Sequence, residues 1–350
     1  MCGFVGFLGS QDNITPEMAG VFAQSLKHRG PDDEGIEIQK IEANPERQLL
    51  LVHRRLSIID LSSHGHQPMR DNQAENWIVY NGEVSNFQAL QALMKNQGVK
   101  FTSTTDTEVI LKGYGEKGVG ILKDLCGMFA FGIWDARKEK LLIAVDPIGI
   151  KPLYYWAGPR GEFLFGSEIR ALLNSNLIPK KMDPVGLEGY LSYGAVQAPN
   201  TIVTGVKMLL PGSYLEVNSD GIINGPHRYW DAPFAGGDGK KYSEMQVREE
   251  LYGLLEEIVA QHLVSDVPVG IFLSGGIDSS ALAALAKDQT DRLQSFSVVF
   301  EEEKYSEAEY SKQIAQMYDI SHNEICLTES DFLSMLPDAL SACDQPTLDG

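Results

Sequence analysis

Apolar residues are spaced in two different ways along this chain, and the change falls near residue 240. Before it, short runs rich in β-branched and aromatic residues, each closed by turn formers, predict strands over 3–8, 48–53, 77–80, 128–134, 141–145 and 163–165. Helical signals are set among them at 16–27, where Thr15 and Pro16 read as a cap and a first-turn proline, and at 87–96 and 107–116. That mixture predicts an α+β domain with mostly antiparallel pairing. Beyond the change, a long helix at 243–263 places Leu251, Leu254, Leu255, Ile258 and Val259 on one face. Strands at 267–273, 293–300 and 323–327 then alternate with helices at 279–287, 306–317 and 331–342, the order of a parallel, doubly wound α/β sheet. The glycine-rich stretch 231–240 has no apolar period and reads as a linker. The expected organisation is a first domain over 1–216, a linker over 217–242 and a second domain over 243–350. Three parallel strands make a thin sheet, so the second domain is expected to be the N-terminal part of a larger one.

Composition narrows the function classes. The formal net charge of −19 repels a phosphate backbone, and basic clusters such as Lys180-Lys181 are too short for a nucleic-acid footprint. No apolar run is long enough to cross a bilayer, and the first residues lack the basic start of a secretory signal, so neither nucleic acid nor membrane is an expected partner and the cytoplasm is the expected location. The cysteines at 2, 126, 326 and 343 show no paired spacing, which argues against both a zinc site and a disulfide framework.

Cys2 has a separate significance. A small side chain behind Met1 favours removal of the methionine, leaving a free amine on the residue that carries the thiol. An unperturbed terminal amine titrates near ~7.7–8.0, so part of it is neutral at pH 7 and can take the thiol proton. One residue then supplies nucleophile and base. Near the other end, strand 267–273 leads through Ser274-Gly275-Gly276-Ile277-Asp278-Ser279-Ser280 into a helix. A strand, a glycine turn and a helix N-terminus aim backbone N–H groups at an anion, and phosphate suits them. No lysine follows the glycines, so this is not a Walker loop.

Five blocks surround Cys2 in order: Cys2-Gly3-Phe4-Val5-Gly6, His28-Arg29-Gly30-Pro31-Asp32, His53-Arg54-Arg55-Leu56-Ser57-Ile58-Ile59-Asp60, Tyr80-Asn81-Gly82-Glu83 and Thr105-Asp106-Thr107-Glu108. Together they resemble the glutaminase domain of class II glutamine amidotransferases, most closely that of asparagine synthetases. The resemblance implies an N-terminal-nucleophile αββα sandwich with Cys2 as nucleophile. It implies that Arg55 holds the glutamine α-carboxylate, whose two oxygens match a guanidinium fork, with Leu56, Ser57, Ile58 and Ile59 lining the same site. Asn81 and the Gly82 N–H would form the oxyanion hole, and Asp106 with Glu83 would bind the α-ammonium. Singly, these residues have plainer readings: Asn81-Gly82 suits a hairpin turn, Asp106 a helix cap, Arg55 a solvated strand end. His28 and His53 are expected to be structural. The block 145–155 departs from the family at Pro147, where an arginine is usual, which leaves that arginine's contact without a counterpart.

The loop at 274–280 looks like the pyrophosphate loop of ATP pyrophosphatases. That implies Ser274, Gly275, Gly276, Ser279 and Ser280 around pyrophosphate, Asp278 on Mg²⁺, and Leu273 and Val298 near adenine and ribose. The joint expectation is a glutamine-dependent amidotransferase of the asparagine-synthetase kind, with glutamine, ATP and an acceptor carboxylate as partners and a homodimer left open. L-aspartate is the expected acceptor. Gln345 and Gly350 depart from the form of dedicated asparagine synthetases, so another carboxylate stays an alternative. So do a class II enzyme acting on a sugar phosphate or phosphoribosyl pyrophosphate, against which the 274–280 loop argues, and a glutaminase or binding fragment without synthetase activity.

Overall fold

Seven of the eight residues of strand β1 (Gly3–Ser10) are buried, because the strand runs through the middle of a sheet that is covered on both faces. In this computed structural model residues 1–232, 242–301 and 306–348 are described. They form two units, Met1–Ala232 with Cys343–Gly350, and Pro233–Ala342. In the first unit β1 pairs antiparallel with β3 (Arg47–Arg55) and β9 (Phe163–Gly166). The sheet is completed by β2 (Asp33–Lys40), β8 (Tyr154–Ala157) and β10 (Val206–Met208), in the order β10-β8-β9-β1-β3-β2. A second six-stranded sheet contains β4 (Met69–Asp71), β5 (Asn76–Val84), β6 (Gly127–Asp135), β7 (Lys140–Val145), β11 (Ser213–Asn218) and β12 (Ile223–Arg228), in the order β12-β11-β7-β6-β5-β4.

Strand alternation sends successive side chains of β1 to opposite faces. Phe4 and Leu8 join Leu49, Leu51, Val79, Ala130, Trp134 and Ile143 in the core between the sheets. Val5 and Phe7 join Leu50, Val52, Phe22, Leu26 and Leu172 on the other side, under α1 (Pro16–Ser25) and α4 (Ile169–Leu173). Over the second sheet, α3 (Asp106–Lys117) packs on β5 and α2 (Phe87–Asn96) packs on α3. The result is the expected αββα sandwich. Strands with both faces buried read as continuous apolar runs and were predicted; β2, β4, β8, β10, β11, β12, α4 and α5 (Pro184–Tyr193) were not. β2 and β12 lie at sheet edges, with exposed polar positions and, in β12, Pro226, which an edge tolerates because it donates no ladder hydrogen bond.

The second unit contains α6 (Glu244–His262), β13 (Gly270–Phe272), α7 (Ile277–Gln289), β14 (Gln294–Phe300), α8 (Ala308–Met317), β15 (Ser321–Leu327) and α9 (Glu329–Ala342). Its strands are parallel, in the order β13-β14-β15, as the alternation predicted. α6 begins in a capping box, Ser243 accepting from the Gln246 N–H and Gln246 reaching back to the Ser243 N–H. The core is small: Val259, Leu273, Ala283, Leu285, Ala286, Leu293, Ala315 and Ile320. Three expectations shift. Of the expected linker at 217–242, the first residues end β11 and form β12, paired in the second sheet, and 233–241 lie outside the described residues. Helix α7 starts at Ile277, so Ser279 and Ser280 sit in its first turn. By their contacts, the described residues from Cys343 onward group with the first unit.

Candidate active site around Cys2

Five segments converge on one cleft. It is lined by Met1 and Cys2, by Arg55, Leu56, Ile58, Ile59, Gly65 and Gln67, by Tyr80 to Glu83, by Thr105 to Thr107, and by Lys151. Cys2 precedes β1, whose register against β3 sets Gly3 opposite Arg54 and so brings the thiol to the end of β3. There Leu56 donates its N–H to Sγ at 3.4 Å, and Sγ lies 3.6 Å from the Leu56 carbonyl. Arg29 donates from Nε to the Cys2 carbonyl at 2.8 Å, fixing the residue's backbone. Burial pushes the Cys2 thiol up and the Met1 amine down from their ordinary values, so both groups lean towards their neutral forms.

Arg55 is no solvated strand end. It is buried, with Nη1 donating to the Ser62 carbonyl at 3.1 Å and Nη2 to the carbonyls of Ile59 at 3.1 Å and Asp60 at 2.5 Å. Gly65 is needed here, since a Cβ on it would stand 1.9 Å from Nη2. Three of the guanidinium's five donors are thus spent on loop carbonyls, and its positive charge stands in the lining of the cleft. Asp106 is not the cap of its helix; Thr105 is, accepting from the Glu108 N–H. The Asp106 carboxyl accepts from the Tyr80 hydroxyl at 2.6 Å and from the N–H groups of Val84 and Thr107 at 3.0 and 2.9 Å. Burial nevertheless holds its pKa above the usual carboxylate range, and a bound cation would bring it back down.

Asn81 and Gly82 are not a hairpin turn; both lie inside β5, paired with Ala130 and Phe129 of β6. Asn81 is 2% exposed, and its Nδ2 has no hydrogen-bond partner. Gly82 lets the strands approach, because a Cβ there would stand 2.3 Å from the Met128 carbonyl oxygen. Of the expected glutamine-site residues, Ser57 alone is absent from the cleft lining; its N–H goes to Asp32 at 2.8 Å. Neither histidine lines the cleft. His28 Nε2 is 2.9 Å from Glu168 Oε1, and His53 Nε2 is 2.9 Å from the Tyr80 carbonyl, with burial holding the His53 pKa down at about 4.

Sequence reasoning missed Gln67, Tyr80, Thr105, Thr107 and Lys151 as lining residues. Gln67 accepts from the Tyr80 N–H at 2.7 Å and donates to Thr107 at 3.3 Å, bracing β5 against α3. Tyr80, Thr105, Thr107 and Lys151 all stood within the blocks quoted for the resemblance, so the signal was there without an assigned role. At the departure from the family, Asp146 accepts from the N–H groups of Phe129, Ile148, Gly149, Ile150 and Lys151. Pro147, which has no N–H, sits inside this loop without disturbing it.

In the second unit, the loop after β13 turns through Gly275 at φ +80, where a Cβ would stand 2.5 Å from that of Tyr310. Ser274 Oγ accepts from the Gly276 N–H at 3.3 Å and lies 3.1 Å from Ser279 Oγ, while Ser280 Oγ is buried without a partner. Leu273, Ser274 and Val298 line a shallow hollow with Phe272, Phe296, Ser297, Glu307 and Ser311; Gly275, Gly276, Asp278, Ser279 and Ser280 lie outside that lining. Among the described residues no three acidic, histidine or cysteine side chains gather as a metal site, and Asp278 is a single exposed carboxylate. Among the described residues, then, no Mg²⁺ site is formed by protein groups alone.

Residues 1–230 match the glutamine amidotransferase domain family, and residues 250–350 match the asparagine synthase family. A putative glutamine-hydrolysing asparagine synthetase 2 of Methanocaldococcus jannaschii is 34% identical, over 99% of this chain and 68% of its own length. Glutamine-hydrolysing asparagine synthetase 1 of Bacillus subtilis is 34% identical, over 100% of this chain and 54% of its own. For asparagine synthetase B of Escherichia coli the figures are 34%, 76% and 41%. The chain thus spans about half the length of the Bacillus relative. Among the described residues no helix is long and apolar enough to cross a membrane.

Proposed function

From the premise that this chain belongs to the glutamine-hydrolysing asparagine synthetase family, we propose that its first unit hydrolyses glutamine at Cys2 and that the ammonia serves an ATP-dependent amidation of L-aspartate. The observation that carries this reading is the buried, unpartnered Nδ2 of Asn81 in the same cleft as the Cys2 thiol. A buried N–H without an acceptor costs about 1–3 kcal/mol, and an oxyanion in the cleft would supply the missing acceptor.

In this reading Met1 is removed and the new α-amine of Cys2 takes the thiol proton. Glutamine lies with its α-carboxylate against the Arg55 charge and its α-ammonium against Asp106 and Glu83. Sγ attacks the side-chain amide carbon, and the carbonyl oxygen becomes an oxyanion between Asn81 Nδ2 and the Gly82 N–H. The intermediate collapses by breaking the C–N bond, the amine returns its proton to the leaving nitrogen, and ammonia departs. Water then hydrolyses the thioester to glutamate and the free thiol. ATP is the second unit's substrate: its phosphates would lie against the 274–280 loop and the α7 N-terminus, where Ser280 Oγ lacks a partner. The aspartate side-chain carboxylate attacks the α-phosphorus and releases pyrophosphate; ammonia then displaces AMP from the acyl-adenylate, giving asparagine.

The test is Cys2→Ala. Glutamine hydrolysis should be lost, and blocking removal of Met1 should have the same effect because the base would be tied up in an amide. Turnover that persists in the Cys2→Ala protein sinks the reading.

A further inference from the structure

Cys2 is held from a distance. Its carbonyl accepts from Arg29 Nε at 2.8 Å, and Arg29 Nη1 is held in turn by Glu168 Oε1 at 3.0 Å. Ser167, next to Glu168, exchanges two bonds with Phe4: its Oγ accepts from the Phe4 N–H at 3.1 Å, and its own N–H goes to the Phe4 carbonyl at 3.0 Å. The corner at 167–168 thus grips the start of β1 on both sides of Gly3.

Glu168 occupies the N-cap position of α4, where a polar side chain ordinarily turns back onto the helix's first N–H groups. It makes no such bond. Its carboxylate is committed to Arg29, to His28 at 2.9 Å and to Arg170 Nε at 3.0 Å. The capping is done instead by Asp344, whose carboxylate accepts from the Ile169 N–H and, at 3.0 Å, from the Arg170 N–H. Two further bonds hold the segment that carries Asp344: Gln345 Oε1 accepts from the Ile202 N–H at 3.0 Å, and the Leu348 N–H donates to the Gly194 carbonyl at 2.7 Å.

We infer that Asp344 is a positioning residue for the nucleophile: by capping α4 in place of Glu168, it leaves the Glu168 carboxylate free to hold Arg29 on the Cys2 backbone. The inference rests on Cys2 as the glutaminase nucleophile. Without Asp344, Glu168 stands at the N-cap position, from which a side chain can accept from the orphaned N–H groups. Turning towards them would release Arg29, and Cys2 would lose its fixed distance from Arg55, Asn81 and Asp106. Nothing in this chain of bonds touches the glutamine binding groups, so the loss should fall on kcat.

The experiment uses the full chain with Asp344→Ala, Asp344→Asn and Glu168→Gln, measuring glutamine hydrolysis without ATP, alongside circular dichroism to verify folding. Displacement of a reacting group by about 1 Å can cost a hundredfold. Asp344→Ala is therefore expected to lower kcat between about ten- and a hundredfold, with KM within about twofold. Asp344→Asn, whose carbonyl still accepts one N–H, should recover most of that loss, and Glu168→Gln should match Asp344→Ala. A folded Asp344→Ala protein with unchanged kcat overturns the inference, as does a loss that appears in KM alone. If Asp344→Ala does not fold, Asp344→Asn and Glu168→Gln decide: a kcat loss in Glu168→Gln larger than in Asp344→Asn supports it, and equal wild-type rates in both overturn it. Cys2→Ala is run in parallel, so that hydrolysis persisting there indicts the nucleophile assignment rather than Asp344.

Discussion

Asn81 and Arg55 sit in one cleft but should fail differently when altered. The Asn81 Nδ2 has no partner in the folded protein, so its hydrogen bond is expected only when charge develops on the substrate oxygen. In the proposed reading Arg55 instead meets a carboxylate that is charged throughout the reaction. Asn81→Ala should therefore lower kcat by about 10²–10³ with little change in KM, while Arg55→Ala should act mainly on KM. Steady-state kinetics on the two variants decide the matter; a pure KM effect at Asn81 would remove it from the oxyanion hole. His53 gives a residue-scale prediction of another kind. Folded, its pKa is about 4 against an ordinary 6.5, so between those values the unfolded chain binds the extra proton and stability falls as pH drops. The gap of about 2.5 units corresponds to ~3 kcal/mol, intact above pH 6.5 and lost by pH 4. Urea unfolding at pH 7, 5.5 and 4.5 should show this slope, and His53→Gln should flatten it.

At the scale of elements, β5 decides whether the cleft exists. Asn81 and Gly82 look like a turn in sequence because the dipeptide favours one, yet tertiary packing overrides the preference: Ile78, Val79 and Tyr80 are buried before it and Val84 after it, and the whole stretch pairs with β6. Gly82 serves as close contact rather than as a turn. Gly82→Ala should force β5 and β6 apart, cost about 1–3 kcal/mol as overpacking does, and abolish glutamine hydrolysis. A variant of wild-type stability and rate would mean that the contact is softer than its 2.3 Å geometry implies. The same strand shows what could be read in advance. Central strands carry their burial as continuous apolar residues and could be read directly; Cys2 stood out by its place behind Met1, whereas Arg55, Asn81 and Asp106 were singled out only by the resemblance of their blocks. Edge strands such as β2 and β12 were not, because half-exposed positions erase the alternation. Asp344 was beyond reach for a different reason. Its partners are backbone N–H groups of Ile169 and Arg170, and a backbone donor leaves no signature in the residue type.

For the whole molecule, the two units differ in the size of their cores and in the probes they carry. All four tryptophans, Trp77, Trp134, Trp156 and Trp230, belong to the first unit, so indole fluorescence reports that unit alone. The longest helix, α6, lies in the second unit together with α7 and α9, so much of the helical dichroism reports the other. The second unit buries few large side chains and leaves Phe272, Ile277, Phe332, Leu333 and Leu340 exposed, which predicts the lower stability of the two. In urea the dichroism should therefore begin to fall at a denaturant concentration where tryptophan fluorescence is still native. Coincident curves would show instead that the units unfold as one. ATP sharpens the test, because a ligand that binds only the folded form stabilises it by about 2.7 kcal/mol at a hundred times its dissociation constant. If the 274–280 loop holds the nucleotide, ATP should move the dichroism midpoint to higher urea and leave the fluorescence midpoint in place. A shift confined to the fluorescence curve would put the nucleotide in the first unit and remove the basis for assigning ATP to the loop.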